Sequence, residues 1–186
     1  MSIHTRRYFI GLPIKEGQLT VWQESIKRTL EESSVKRWTH RCDGHITLHF
    51  LGQLKLPEVE SLIANLTVFF EKTNIHTLQL KSHTLSQFPA SKPKVLATLI
   101  ESCDDLTELY KEVAVVLKQV SLTVEDRLYH PHVTLARLYQ KDYEGFQEIL
   151  LDKAVVACSS VCLYESTRST TGARYRVSHQ WDLKPM

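Results

Sequence analysis

Apolar residues recur along this chain at two spacings, and the switches between them mark its elements. Residues 7–14 form an apolar run that predicts a strand stopped by Pro13. Leu19, Trp22, Ile26 and Leu30 fall at helical spacing with charges between them, which predicts a helix over 18–32 with Trp22 on its core face. Residues 33–44 are polar and read as a loop closed by the Asp43-Gly44 turn. A strand runs from His45 to about Leu51 and ends at Gly52. Leu56-Pro57-Glu58 opens a second helix with the stripe Val59, Leu62, Ile63, Leu66, Phe70. Residues 76–87 alternate as a strand, Ser91-Lys92-Pro93-Lys94 is a basic turn, and 95–100 is a buried strand, so the two predict a hairpin.

Asp104-Asp105 starts a third helix whose stripe runs from Leu106 to Val120. After a charged connection, a strand begins near His130. Residues 143–151 read as a short helix, 154–165 as a strand, 166–172 as a turn, and 173–181 as a final strand with Tyr175, Val177 and His179 on one face. Antiparallel hairpins mixed with helices define an α+β class. The simplest architecture is two similar lobes with a groove between them.

Within this pattern the chain repeats itself. His45-Ile46-Thr47-Leu48 and His132-Val133-Thr134-Leu135 share a His, a β-branched apolar residue, a Thr and a Leu. Successive side chains on a strand point to opposite faces. His45 therefore shares a face with Thr47, and His132 with Thr134, while the aliphatic residues point into a core. One H-x-T carries little information, because chance supplies it; two copies with the same alternation do.

The 186 residues are 42% hydrophobic and 24% charged, an ordinary globular composition. A formal net charge of +2 excludes coating of nucleic acid by bulk charge, so a polyanion site must be local. The N-terminus has no signal-peptide pattern, and no apolar run is long enough to span a bilayer. Cys158 and Cys162, on one expected strand, would lie about 13 Å apart, too far for a disulfide. With no C-x-x-C pair, the expectation is a reduced cytoplasmic protein with free thiols and no cofactor.

Two imidazoles that titrate near neutrality can act as base and acid, and Thr hydroxyls can hydrogen-bond phosphate oxygens. Hydrolysis of a strained cyclic phosphodiester needs those parts and no metal. The two motifs, Leu51-Gly52 after the first, Arg137 after the second, and Gly172-Ala173-Arg174-Tyr175 resemble the LigT-like RNA 2′,3′-cyclic phosphodiesterases, the 2′-5′ RNA ligase family of the two-histidine phosphoesterases. The resemblance spans the whole chain in order. It implies one bilobal domain over 1–186, a monomer, and metal-free hydrolysis of RNA 2′,3′-cyclic phosphate ends or cyclic nucleotides to 2′-phosphates, with reversible 2′-5′ ligation as a related reaction. It also implies His45 as proton donor, His132 as proton acceptor, and Thr47, Thr134 and Arg137 on the phosphate.

A regular strand would put Arg137 on the face opposite His132, so its reaching phosphate requires a bulge or a twist at the strand end. Regular alternation also puts His49 on the face of His45, and His130 on that of His132. Lys92, Lys94, Arg168, Arg174 and Arg176 are candidates for lining an RNA groove, and Trp38, Tyr129 and Phe50 for stacking on a base. Two other readings remain at this level: an RNA-end or nucleotide binding module without turnover, and a metal site built from His45, His49, His130 and His132.

Overall fold

The computed structural model describes residues 5–28, 35–88, 94–125, 128–139, 148–150, 154–169 and 172–186. Its order is β1 (Arg6–Pro13), α1 (Glu16–Lys27), β2 (Val35–Trp38), a 3₁₀ turn (Arg41–Asp43), β3 (His45–Leu54), α2 (Leu56–Lys72), β4 (Leu78–Phe88), β5 (Val95–Ile100), α3 (Asp104–Gln119), β6 (His132–Leu138), β7 (Ile149–Leu150), β8 (Val155–Cys158), β9 (Ser160–Ser169) and β10 (Gly172–Asp182). The fold is α+β: antiparallel strands follow the path β10-β9-β1-β3-β6-β5-β4-β7, with β2 also on β6 and β8 on β4. Among the described residues, three helices pack on it. α1 reaches β6 through Gln23, whose amide donates to the Thr39 and Leu135 carbonyls at 2.8 and 3.0 Å. α2 holds the last strand, with Trp181 stacked on Phe70 and donating its indole N–H to the Thr67 hydroxyl at 3.0 Å. α3 carries acids in its first turn and Lys118 in its last, matching the helix dipole. Trp22, Ile46, Leu62, Leu109 and Val133 belong to one continuous core under these helices.

The two motif strands are neighbours. β3 and β6 are antiparallel and pair at a single position, Ile46 with Val133. They stand side by side within one continuous sheet.

Each motif strand is irregular in the same way. Ile10 pairs with His49 but Gly11 pairs with Thr47, so Leu48 is an extra residue in β3. Leu96 pairs with Ala136 but Ala97 pairs with Thr134, so Leu135 is an extra residue in β6. A one-residue bulge reverses which side chains face which way beyond it. The burial of both strands follows suit: partly buried, buried, partly buried, buried, buried, exposed over 45–50 and again over 132–137. Bulging frees the Leu135 carbonyl from the ladder, and Gln23 and the Thr39 N–H satisfy it. Gly11 lies opposite Thr47, where a Cβ would stand 2.7 Å from the Ile46 carbonyl oxygen, so β1 can approach the motif strand this closely only without a side chain.

Several local expectations change. Val35–Trp38, read as loop, is a strand on β6. Ile149–Leu150, within the helix expected over 143–151, pairs with β4; residues 140–147 and 151–153 lie outside the described set. The strand expected over 154–165 breaks at Ser159 into β8 and β9, so Cys158 and Cys162 lie on different strands. A register shift between Val177 and His179 turns His179 off the Tyr175 face and onto Trp181, 4.7 Å between ring centroids.

Candidate active site

His45 and His132 are held by the same device. The His45 Nδ1–H donates to the Asp43 carbonyl at 2.7 Å, and the His132 Nδ1–H donates to the His130 carbonyl at 2.8 Å. With Nδ1 as donor, each neutral ring has its lone pair on Nε2. Antiparallel register about the Ile46–Val133 pair sets His45 beside Thr134 and Thr47 beside His132, all on the face opposite the core. Two imidazoles and two hydroxyls thus converge on one patch, related by an approximate two-fold axis through that pair.

The bulges extend the patch. Phe50 returns to this face opposite Phe9, 6.1 Å between centroids, and is 49% exposed. Arg137 occupies the corresponding place on β6, exposed on the face of His132 and Thr134. The bulge at Leu135 is the feature Arg137 requires to point the same way as the histidines.

The same irregularity removes His49. It is 4% exposed, lies over the Tyr110 ring at 4.3 Å, and donates Nε2–H to the Tyr110 carbonyl at 2.9 Å. Burial lowers its affinity for a proton, so it is a neutral interior residue. His130 contributes its carbonyl to the site while its side chain is exposed. His49, His130 and His132 border one pocket, but among the described residues no cluster of three or more His, Cys, Asp or Glu could hold a metal ion.

The surroundings of the two histidines differ. Phe9, Tyr164 and Tyr175 enclose His45 with centroids 4.6, 5.5 and 5.0 Å away. Desolvation by these rings pushes the imidazole down to about 4, opposed by the Asp43 carbonyl and the Asp43 charge. Tyr164 and Cys162, in the same cluster, are raised by burial and stay neutral. His132 borders a small pocket lined also by Thr47, Leu48, His49, Phe50, Tyr110, Glu125, Leu128, Tyr129 and His130. Tyr129 stacks on Tyr110 at 4.1 Å, and Trp38 takes the Lys27 ammonium over its ring at 5.3 Å. Of the three stacking candidates, Phe50 offers its ring to the histidine patch.

The basic candidates divide. Arg176 and Arg6 clamp the buried Glu165 from the other face of the sheet, at 2.7 and 2.9 Å. Arg174 is at the site, bound to Asp43. Lys94 is exposed beside β5; Lys92 and the Arg168 side chain lie outside the described set. Sequence reasoning missed Asp43, Phe9 and Tyr164. The spacing of Asp43 two residues before His45 was visible, but nothing in it disclosed a bond from the ring to the main chain.

This geometry defines a class: an α+β phosphoesterase-like fold with two H-x-T strands joined at the centre of a sheet. A model of the 2′-5′ RNA ligase superfamily matches residues 18–170. The chain belongs to that superfamily. It is 31% identical over 140 residues to an RNA 2′,3′-cyclic phosphodiesterase of Bacillus subtilis, covering 75% of this chain and 74% of the relative. A protein of the same description from Aquifex aeolicus is 29% identical over 185 residues, covering 95% and 97%. The crystal structure of E. coli LigT complexed with 3′-AMP superposes with a TM-score of 0.79 at 16% identity, covering 97% and 99% of the two chains, a likeness of fold.

Proposed function

We propose that this protein hydrolyses RNA 2′,3′-cyclic phosphate ends to 2′-phosphates by metal-independent acid–base catalysis, with His45 as acid and His132 as base. The observation that carries this reading is the pair of imidazoles, each tied through Nδ1 to a carbonyl two residues upstream and each beside a Thr hydroxyl from the other strand.

The chemistry follows from that arrangement. Neutral His132 accepts a proton from water at Nε2 as the water oxygen attacks phosphorus. The bond from phosphorus to the 3′ oxygen breaks, and that oxygen takes the Nε2 proton of His45. Water has been added across one ester bond, and proton exchange with solvent restores both rings. Attack in line requires acid and base on opposite sides of phosphorus, and two histidines diagonal across one strand pair support that reading. Thr47 and Thr134 donate to the non-bridging oxygens, and Arg137 matches their charge. Phe50 supplies a face for the terminal base.

The free His45 ring is neutral at pH 7, so the acid is armed on binding: a phosphodiester anion beside the ring favours the imidazolium. The protein acts as a cytoplasmic monomer on RNA ends or cyclic nucleotides, and the same groups run in reverse would join a 2′-5′ bond. Among the described residues no helix is long and apolar enough to cross a membrane.

Incubation of a 2′,3′-cyclic mononucleotide with the protein in excess chelator, followed by phosphorus NMR against authentic isomers, tests the reading. The expected product is the 2′-phosphate. A predominantly 3′-phosphate product would exchange the two histidine roles, and no turnover of cyclic mononucleotide or oligonucleotide would reject the activity.

A further inference from the structure

Asp43 is 4% exposed, an unusual state for a carboxylate, and β10 holds it there. The Arg174 Nε–H donates to one carboxylate oxygen at 3.0 Å, and the Tyr175 main-chain N–H donates to the other at 3.3 Å. The carbonyl of the same residue accepts the His45 Nδ1–H. A 3₁₀ turn fixes this carbonyl: the His40 ring accepts the Cys42 N–H at 3.3 Å, and the His40 carbonyl accepts the Asp43 N–H at 2.8 Å. Gly172, at φ +116°, begins the segment, and a side chain there would occupy the place of the Arg37 guanidinium. The Gly172-Ala173-Arg174-Tyr175 segment is thus the dock for the residue that holds His45.

Every other element packed on His45 opposes a proton on the ring. The Phe9, Tyr164 and Tyr175 rings desolvate it, and His132 repels it when charged. Arg174 adds a positive charge beside Asp43. Asp43 favours the proton twice, by carbonyl and by charge. His132 has the same carbonyl bond, from His130.

We propose that Asp43 is a positioning residue that makes His45 the acid of the pair: its carbonyl fixes the ring, and its carboxylate, clamped by Arg174, is the counter-charge that lets the ring carry a proton in the substrate complex. This rests on the two-histidine reading above.

The test compares wild type, Asp43→Asn and Arg174→Met in the pH dependence of kcat and KM for a 2′,3′-cyclic mononucleotide. Asn keeps the shape and the acceptor for the Tyr175 N–H but removes the charge. The acid must be protonated, so kcat falls on the alkaline side. Asp43→Asn should move that alkaline limb down by about one pH unit and cost about tenfold in kcat at pH 7.5, with KM within about threefold. Arg174→Met, which removes the opposing positive charge, should move the limb up. A role in folding alone would weaken both variants without opposite displacements, so limbs that stay put or move together overturn the proposal. If wild type does not turn over the substrate, the function reading falls on that result. The His45 midpoint of the same three proteins, read by NMR with inorganic phosphate present, then decides this proposal by the same directions.

Discussion

Tyr175 is the wall of the His45 cage that solvent reaches first. Its ring is edge-on to the imidazole and to Phe9, 5.0 Å from each, and is partly buried where Phe9 and Tyr164 are almost fully enclosed. Burial among these rings is the largest reason His45 titrates at about 4 instead of 6.5. That interval amounts to about 3 kcal/mol against the imidazolium. Tyr175→Ala removes one wall of three and admits water. It leaves Asp43 in place, because the contact from Tyr175 to Asp43 is made by the main-chain N–H. Recovery of roughly a third of the desolvation raises the midpoint by about one pH unit, or about 1.4 kcal/mol. Following the imidazole Cε1–H resonances of His45 and His132 by NMR across pH measures this directly. The His45 midpoint should rise and that of His132 should stay. The same cage also affects stability. A histidine depressed in the folded state is protonated first in the unfolded chain, so its contribution is complete above pH 6.5 and is lost as pH falls towards about 4. Tyr175→Ala should flatten that acid-side decline in the urea midpoint. A wild-type His45 titrating near 6.5, or a midpoint unmoved in the variant, would refute the cage as the cause.

His45→Ala and His132→Ala should each lower kcat/KM by about 10²–10⁴, and the double variant should fall far short of the product of the two; near-normal turnover in either folded single variant ends the two-histidine mechanism. Arg137→Met should cost about 10–10² in kcat/KM, the worth of a hydrogen bond to a charged oxygen, with urea unfolding unchanged because the side chain is exposed; unaltered kinetics would remove Arg137 from the site. Gly11→Ala should destabilise the fold by about 1–3 kcal/mol, since its Cβ meets main chain that cannot swing aside, and an unchanged urea midpoint would mean that β1 and β3 are not pinned there.

The parts of the site that could be read in the sequence obey a period of two. His45 with Thr47, and His132 with Thr134, share a face because nothing interrupts the strands between them. The reading fails one residue later in each strand, at Leu48 and Leu135, where an extra residue enters with no Gly or Pro to announce it. That single cause put His49 on the wrong face and left Arg137 in need of a bulge. A signal was present in the duplication: aligning the two copies sets His49 against Ala136, a small apolar residue, as expected for an interior position. β2 was hidden for a different reason. Val35–Trp38 is a four-residue strand at the margin of the sheet, partly buried except at Lys36, too short for its alternation to be seen. The Asp43–Arg174 bond joins residues far apart in the chain and has no local pattern at all.

A pair of histidines related by an approximate two-fold axis cannot by itself choose which ester bond of a cyclic phosphate to break. The bulges reproduce the symmetry on both strands, down to the residue that returns to the open face, yet the residue differs: Phe50 on β3 and Arg137 on β6. Because the strands are antiparallel, Arg137 lies beyond Thr134 on the His45 side, and Phe50 lies beyond Thr47 on the His132 side. One end thus offers a cation and the other an apolar ring beside a pocket, a polarity that can orient a nucleotide whose phosphate and base want opposite surroundings. The rings behind the patch have the same polarity. At the His45 end a buried carboxylate, Asp43, and three aromatic walls surround the imidazole, and on the proposed mechanism they set how readily that ring takes and gives up its proton. On the proposed mechanism direction comes from residues outside the two repeated motifs, so a substitution that equalises the surroundings of the two rings should erode the choice of product before it abolishes turnover.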